Sequence, residues 1–565
     1  MNNRKKVSAY GIAALLLFPA LTAYYYYLHR YAVISSDSTT LILPARDFLE
    51  GNLLLRGWVF GTNNFLFTDL IYFIACCAAG LDAIVMTKLI PALVMAGFMV
   101  LCLGLFAYRD EYVPEGKPAP ASILLVSFLF FLVTPSSTGL YTLLNANSHN
   151  AVYAYLVLCM MAVLTYLRSG GRQKALPVLY LLITTLSAFS DSVTLMSILA
   201  PICAFCFFDG IRVIRNAGAD LKGEAGTANR TDTGRKAGIA AVRPQIVIVL
   251  ASMLAFVLSR LLLHGITRVG GFETRGMPLH LTAPSDLVDR AKDWSKTFFQ
   301  FYNMATPKMI GLTSQVGLRH LIGVSLMLGI VLSTAWNLLR MYKVSRCRMI
   351  LSWVVVLNIA GCVFTGVVMT IRYIAPTYLL GTTLLLLTLR DGLGWLSGVK
   401  KKGIAALVLS VVICMASCLI IKDRLDDILV MDLWGENQKA LLSYLQEHHL
   451  ESGYGEFWSA SSVAAYDDFE TDILPVFLFN AYRSDDERNG KQLLEPYNEL
   501  VKKEWYESPQ ERHFLVLQPS VNFDYGYVVQ VIGEPDEVFE QALYQVWIYD
   551  KNLTPYVGDY VEEEP

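Results

Sequence analysis

Long apolar runs broken by short polar stretches occupy residues 1–422, and shorter apolar segments set among acidic turns occupy residues 423–565. A helix needs about 20 apolar residues to cross a hydrocarbon core of roughly 30 Å. Eleven runs reach that length with their flanks: 9–30, 85–107, 121–135, 149–167, 174–190, 193–208, 244–264, 319–340, 349–370, 373–390 and 403–422. The first part therefore reads as a mainly α, polytopic membrane bundle. After it, residues 433–449 have helical spacing, 514–517, 527–532 and 542–549 have strand character, and Gly533, Glu534 and Pro535 signal a turn, which predicts a soluble α/β domain.

One further apolar stretch, 65–80, spans only about 24 Å as a helix. Counted as a span, it would put Arg168, Arg172, Lys174 and the Arg-rich loop 209–243 outside. As a helix lying in the outer interface, it leaves those clusters inside, together with 340–348 and Lys400, Lys401 and Lys402. Basic loops favour the inside, so the expected topology is eleven spans, a cytoplasmic N-terminus and an extracytoplasmic C-terminal domain. Arg4, Lys5 and Lys6 precede an apolar run that continues to Val33, too long for a cleaved signal and suited to a retained anchor.

Composition agrees with this division. Of the 565 residues 54% are hydrophobic and 17% charged, too apolar for a soluble chain of this length. The formal net charge of -2 hides two opposite parts. Residues 423–565 hold 9 Lys+Arg against 30 Asp+Glu, a net of -21, and residues 1–422 hold 37 against 18, a net of +19. An acidic domain would be repelled by anionic lipid and is expected to stand away from the bilayer. All ten cysteines fall in or beside apolar runs; neither the adjacent Cys76 and Cys77 nor Cys203 and Cys206 has the partner pair of a zinc site or a disulfide framework.

The eleven-span topology gathers several polar residues at one outer edge. They are Asp37, Asn145 to Asn150 with His149, Asp191 and Arg372, beside the outer loops 31–84 and 265–318. An ionisable residue at mid-bilayer costs about 2.5–3.5 kcal/mol and less near the edge, so a shared edge invites a functional reading. Asn147, His149 and Asn150 offer mixed donors and acceptors for phosphate or sugar hydroxyls, with a helix-capping loop as the plain alternative. Asp191 suits orientation of an arginine or a helix cap. Asp69 and Asp82 flank the juxtamembrane helix. Residues 37–51 carry their apolar side chains on one helical face, as a shelf on the membrane would.

At this point the chain resembles the GT-C superfamily of polyprenyl-phosphate-sugar-dependent membrane glycosyltransferases, including the aminoarabinose and protein mannosyl transferase branches. In that superfamily the first outer loop opens with an acidic residue, often Asp-Glu, and continues as a helix of the form Ala-x-x-Leu-x-x-Gly. Here Asp37 stands at the acidic position and Ala45 and Gly51 fit the helix, with Ser38 where a second acid is common. The segments 65–80, Lys88 to Pro91 and Arg372 to Pro376 extend the likeness over most of residues 1–422.

The resemblance implies a glycosyltransferase that moves a sugar from a polyprenyl-phosphate carrier to a lipid, glycan or protein acceptor on the outer face of the plasma membrane, with inversion. It makes Asp37 the general base and Arg372 the ligand of the leaving phosphate, a role for which a permanently charged, forked guanidinium is suited. Pairing of Arg372 with an outer carboxylate such as Asp191 is the structural alternative. His149, Asn147, Asn150, Asp191 and Asp69 complete the expected substrate-binding set. No cofactor or clustered metal-ligand set is expected, although a diphosphate leaving group would call for a divalent cation. Nucleic acid is not an expected partner, and the absence of a Gly-rich phosphate loop argues against a nucleotide-sugar donor. The rival functions are a transporter or flippase of a lipid-linked glycan, which would call for internal repeats and broken helices, and a polymerase or ligase, which would use Arg268, Arg275 and Arg290 of the late outer loop.

Overall fold

The computed structural model describes residues 2–29, 34–107, 137–223, 231–275, 280–301, 314–367, 369–397, 433–482, 493–507, 510–518, 523–540 and 543–558. Most of the first part is helical. Among the described residues six helical segments are long and apolar enough to cross a membrane: Ala83–Leu105, Asn150–Arg168, Leu195–Asn216, Ala240–Arg268, Arg346–Phe364 and Ile371–Gly392. The chain is thus a multi-pass membrane protein. The helix Ala240–Arg268 turns Leu250, Met253, Leu254, Val257 and Leu261 outward, a stripe that water would penalise and lipid covers.

Shorter apolar helices are Leu66–Ala78, Ala175–Ser190 and Gly323–Leu339, and a further helix covers Asn2–His29. The expected spans 121–135 and 403–422 lie outside the described residues. The stretch 65–80 is five residues of π-helix, Leu66–Leu70, followed by eight of α-helix, Ile71–Ala78. At 1.5 Å per helical residue it is far too short to cross, as the sequence argument requires. The Arg-rich loop 209–243 is entered from both sides by the helices Ala200–Gly223 and Thr231–Arg268.

The C-terminal region is mixed α/β. Its six-stranded sheet has the order Glu495–Pro496, Asp472–Phe477, Ser452–Glu456, Phe514–Leu517, Gln545–Ile548, Glu537–Glu540. The central three strands are parallel, and the helix Phe457–Ala464 is the crossover between two of them. Its partner is the expected helix Leu433–Glu447. One expectation fails: 527–532 is not a strand but lies in the helix Tyr525–Ile532. The Asp524 side chain accepts from the Tyr527 N–H at its start, and Gly533, at φ +105°, stops it. These end signals outweigh the β-branched run, and Val528 and Ile532, one turn apart, face the core.

The acidic region docks on the membrane part rather than standing free of it. A second, three-stranded sheet joins Trp58–Phe60 of the first loop to Glu273–Thr274 in parallel and to Val501–Lys502 antiparallel. Leu41, Ile42 and Ala45 of the expected shelf are fully buried and share a core with Trp58, Phe60, Phe457 and Leu500. Charge pairs of both polarities complete the joint: Arg46 of the shelf binds the Asp468 carboxylate and, at 3.0 Å, its carbonyl, and Lys502 of the C-terminal region lies 3.4 Å from Asp47 of the shelf. The shelf therefore rests under protein: it packs on the helix Ile71–Ala78, and the C-terminal region joins the same core through Phe457 and Leu500.

Arg46→Ala removes the clamp on Asp468 while leaving the buried apolar joint. We expect the C-terminal region to be cut several-fold faster by a protease added from outside, with the helical bundle unchanged by circular dichroism. An unchanged cleavage rate would show that the clamp contributes nothing to docking.

Candidate functional site

Chain geometry sets Asp37 in place before any partner arrives. Ser35 is extended, at φ -100° and ψ 140°, and caps the four-residue helix Ser36–Thr39, its hydroxyl accepting from the Asp37 N–H at 3.3 Å. Tyr141 donates to the same hydroxyl at 2.7 Å, and Ser38 donates to Asn145. These bonds lace the first loop to 141–146, and Asp37 ends up 6% exposed.

A carboxylate so buried needs a cation. Arg372, at the start of the helix Ile371–Ser397, supplies it: one guanidinium nitrogen lies 3.2 Å from Asp37 Oδ2. Burial pushes the Asp37 carboxyl above its ordinary pKa, and the Arg372 charge opposes that rise. Tyr153 donates to the Arg372 carbonyl at 3.2 Å and Asn358 donates to the Tyr373 carbonyl at 3.0 Å, so two neighbouring helices fix where the guanidinium starts. The alternative partner foreseen for Arg372, Asp191, is engaged elsewhere.

Asp191 Oδ2 lies 2.7 Å from His149 Nδ1, with exposures of 0% and 2%. A carboxylate only accepts, so Nδ1 carries the proton. The other Asp191 oxygen accepts from the Val193 N–H at 3.0 Å, so the residue also terminates one helix and opens the next. Asn147 and His149 both adopt φ +65°, a left-handed backbone that turns 145–150 back on itself. The His149 ring stacks on Tyr373 at 5.6 Å between centroids, next to Arg372 in sequence. Asn150 directs its amide to the carbonyls of Thr142 and Leu143, at 3.0 and 3.1 Å, tying the preceding turn together. Its amide hydrogens thus serve the backbone.

Asp69 joins the same cluster from the juxtamembrane helix. Phe65, at φ +52°, starts the π-turn, its N–H donating to the Ser190 carbonyl at 3.0 Å, while the Phe67 N–H donates to the Ser190 hydroxyl at 2.9 Å. Asn63 and Asn64 add bonds to the Ser192 N–H and the Phe189 carbonyl. The Asp69 carboxyl, 3% exposed, is pushed up to about 7, first by burial and then by neighbouring Asp191, against the pull of Thr68, His149 and the Asn147 N–H. Asp69 Oδ2 and His149 Nε2 are buried without a hydrogen-bond partner among the described residues.

All seven residues expected from sequence therefore fall in one cluster, in two halves: Asp37 with Arg372, and His149, Asp191 and Asp69 with the turn 147–150. The Arg372 side chain is 32% exposed, while His149 and Asp191 are sealed, so Arg372 is the group a ligand reaches first. Sequence reading missed Ser35, Tyr141, Asn63, Asn64 and Tyr373, which position the cluster. Tyr373 was adjacent to a chosen residue; the others carried no spacing signal. Among the described residues no group of three or more His, Cys, Asp or Glu stands where it could hold a metal ion. Neither protein-family models nor curated proteins give a match to this chain.

The Asp69 shift makes stability depend on pH with a defined sign. Its folded pKa, about 7, exceeds the unfolded value, 3.8, so the folded state holds the proton more tightly and stability falls as pH rises from about 4 through about 7. Asp69→Asn removes that dependence. We expect the variant to melt at a higher temperature than wild type at pH 8 and to lose the advantage as pH is lowered toward 4. The reverse order at pH 8 would mean that the ionised carboxylate is stabilised in place.

Proposed function

We propose that this protein is an integral-membrane glycosyltransferase of the GT-C type. On this reading it has eleven spans, a cytoplasmic N-terminus and an extracytoplasmic C-terminal region, and it transfers a sugar from a polyprenyl-phosphate carrier to a lipid, glycan or protein acceptor. The observation that carries the reading is the pairing of a buried carboxylate with a partly exposed arginine at the end of a membrane helix, Asp37 with Arg372 at 3.2 Å.

That pairing suits a single displacement. The donor is a phosphodiester with one negative charge, and its phosphate competes with Asp37 for the guanidinium. As Arg372 turns toward the phosphate, Asp37 loses its counter-charge in a dry site and becomes a stronger base. The acceptor hydroxyl gives its proton to Asp37, and its oxygen bonds to the anomeric carbon. The carbon–oxygen bond to phosphate breaks with its electron pair, and polyprenyl phosphate leaves with a second negative charge that Arg372 stabilises. Asp37 then returns the proton to water.

The polymerase or ligase reading draws less support. Arg290 of the late outer loop directs one guanidinium nitrogen to three backbone carbonyls, of Cys362, Thr365 and Val367, at 3.0, 2.7 and 2.5 Å, and so serves the fold. For the flippase reading, a carboxylate held against the phosphate-binding arginine adds repulsion without a task.

The test is Asp37→Asn in purified protein given polyprenyl-phosphate sugars and an acceptor extract. We expect transfer to fall at least 100-fold, with binding of polyprenyl phosphate kept within a few-fold of wild type. Full transfer by the variant sinks the base role, and movement of intact lipid-linked glycan across liposomes by wild type would make the protein a flippase. Topology is checked separately. A membrane-impermeant thiol reagent should label Glu50→Cys and Glu540→Cys, both at exposed positions, and spare Gly226→Cys; the opposite pattern overturns the orientation.

A further inference from the structure

The segment 497–502 of the C-terminal region lies against the Asp37 site. Val501 and Lys502 form the edge strand on Trp58–Phe60. Leu500, 5% exposed, is driven into the core shared with Leu41, Trp58 and Phe60 at φ +56°, a backbone conformation that a leucine adopts only under constraint. This reversal presents the half-buried Tyr497 and Glu499 just before it. Tyr497 is held rigidly: its ring stacks on Phe457 at 4.3 Å with planes 6° apart and meets Phe477 at 4.3 Å, and its N–H donates to Tyr506 at 3.2 Å. Five residues after Phe457 in the same helix, the Ser462 N–H donates to the hydroxyl of Ser36, the residue before Asp37, at 3.2 Å.

The electrostatic neighbourhood agrees with this placement. The charges of Asp37 and Arg372 both reach the Tyr497 hydroxyl, and the Glu499 charge reaches Tyr497 and Tyr373. Glu499 also fills the space beside Gly61: a Cβ added there would stand 2.7 Å from a carboxylate oxygen of Glu499. The glycine thus leaves room for the carboxylate next to the first-loop strand.

We infer that the C-terminal region supplies the sugar-facing wall of the Asp37 site, with Tyr497 as the ring on which the transferred sugar lies and Glu499 as an acceptor for its hydroxyls. The inference rests on the glycosyltransferase reading. The chemistry fits a neutral or cationic sugar. A tyrosine face packs on the C–H face of a pyranose and a carboxylate accepts from its hydroxyls, while an anionic sugar would meet Glu499 and Asp37 together.

Two measurements test this on the full-length protein in nanodiscs. The first titrates wild type, Glu499→Gln and Gly61→Ala with undecaprenyl phosphate and with undecaprenyl-phosphate hexose. Wild type should prefer the hexose conjugate, and Glu499→Gln should lose about tenfold in affinity for it while binding undecaprenyl phosphate within twofold of wild type. Gly61→Ala, which displaces the carboxylate without removing it, should lose a smaller factor with the same selectivity. Equal losses for both probes, no loss for either, or a wild type without preference for the hexose overturns the sugar wall. The second is oxidation of the pair Val59→Cys and Val501→Cys, which face each other across antiparallel strands at a separation that suits a disulfide. Cross-linking is expected; its failure overturns closure of the C-terminal region over the site. A wild type that binds neither lipid counts against the glycosyltransferase reading instead, and the cross-link still decides the closure.

Discussion

A carboxylate as buried as that of Asp37 stays ionised only beside a cation, and the cation it has lies 335 residues away. That requirement organises this end of the bundle. The guanidinium reaches Asp37 because the helix Ile371–Ser397 starts where Tyr153 and Asn358 take up its first carbonyls. Those two residues belong to the helices Asn150–Arg168 and Arg346–Phe364. The ion pair thus forms only when three helices and the first loop are assembled. Removing one partner of a buried pair costs about 3–5 kcal/mol in general, and the partial exposure of Arg372 reduces that here.

The C-terminal region is tied to the same constraint. A first loop left in water would let solvent reach Asp37 and weaken its attraction to Arg372, since charge interactions grow as the surroundings become less polar. The sheet that adds Val501–Lys502 to Trp58–Phe60, with the apolar residues beneath it, excludes that water. Repulsion between an acidic domain and anionic lipid treats the domain's charge as a total and concerns the bilayer, not this docking on the chain's own first part. At the joint the charges are local: Arg46 meets Asp468 and Lys502 meets Asp47.

Sequence patterns disclosed most of the apolar runs and the short helix at 66–78, because membrane thickness acts on the chain directly. They did not disclose who pairs with whom. An arginine beside Asp37 rather than Asp191 depends on how helices distant in sequence approach, and no spacing records it. The left-handed turns at Phe65, His149 and Leu500 were equally hidden, since none is a glycine and each is imposed by surrounding contacts. In the helix Tyr525–Ile532 the signals were present at Asp524 and Gly533, and the β-branched run between them masked their meaning.

The two halves of the cluster divide the work by their access to solvent. Arg372 is about one-third exposed and can turn toward a ligand, as the exposure of 32% allows. His149 and Asp191, at 2% and 0%, cannot meet a ligand without the turn 147–150 opening. Their hydrogen bond fixes the imidazole plane, and the imidazole in turn supports the ring of Tyr373, the neighbour of Arg372. In this arrangement His149 and Asp191 act on Arg372 through its neighbour Tyr373 rather than by contact, which makes them positioning residues. Asp69 would add a second carboxylate to that sealed pocket, and its carboxyl, pushed up to about 7 by burial and by Asp191, holds its proton in part at neutral pH. The pocket thus limits the charge of two adjacent carboxylates, raising the pKa of one and hydrogen-bonding the other to histidine, and Asp37 is left as the carboxylate that faces a partly exposed cation.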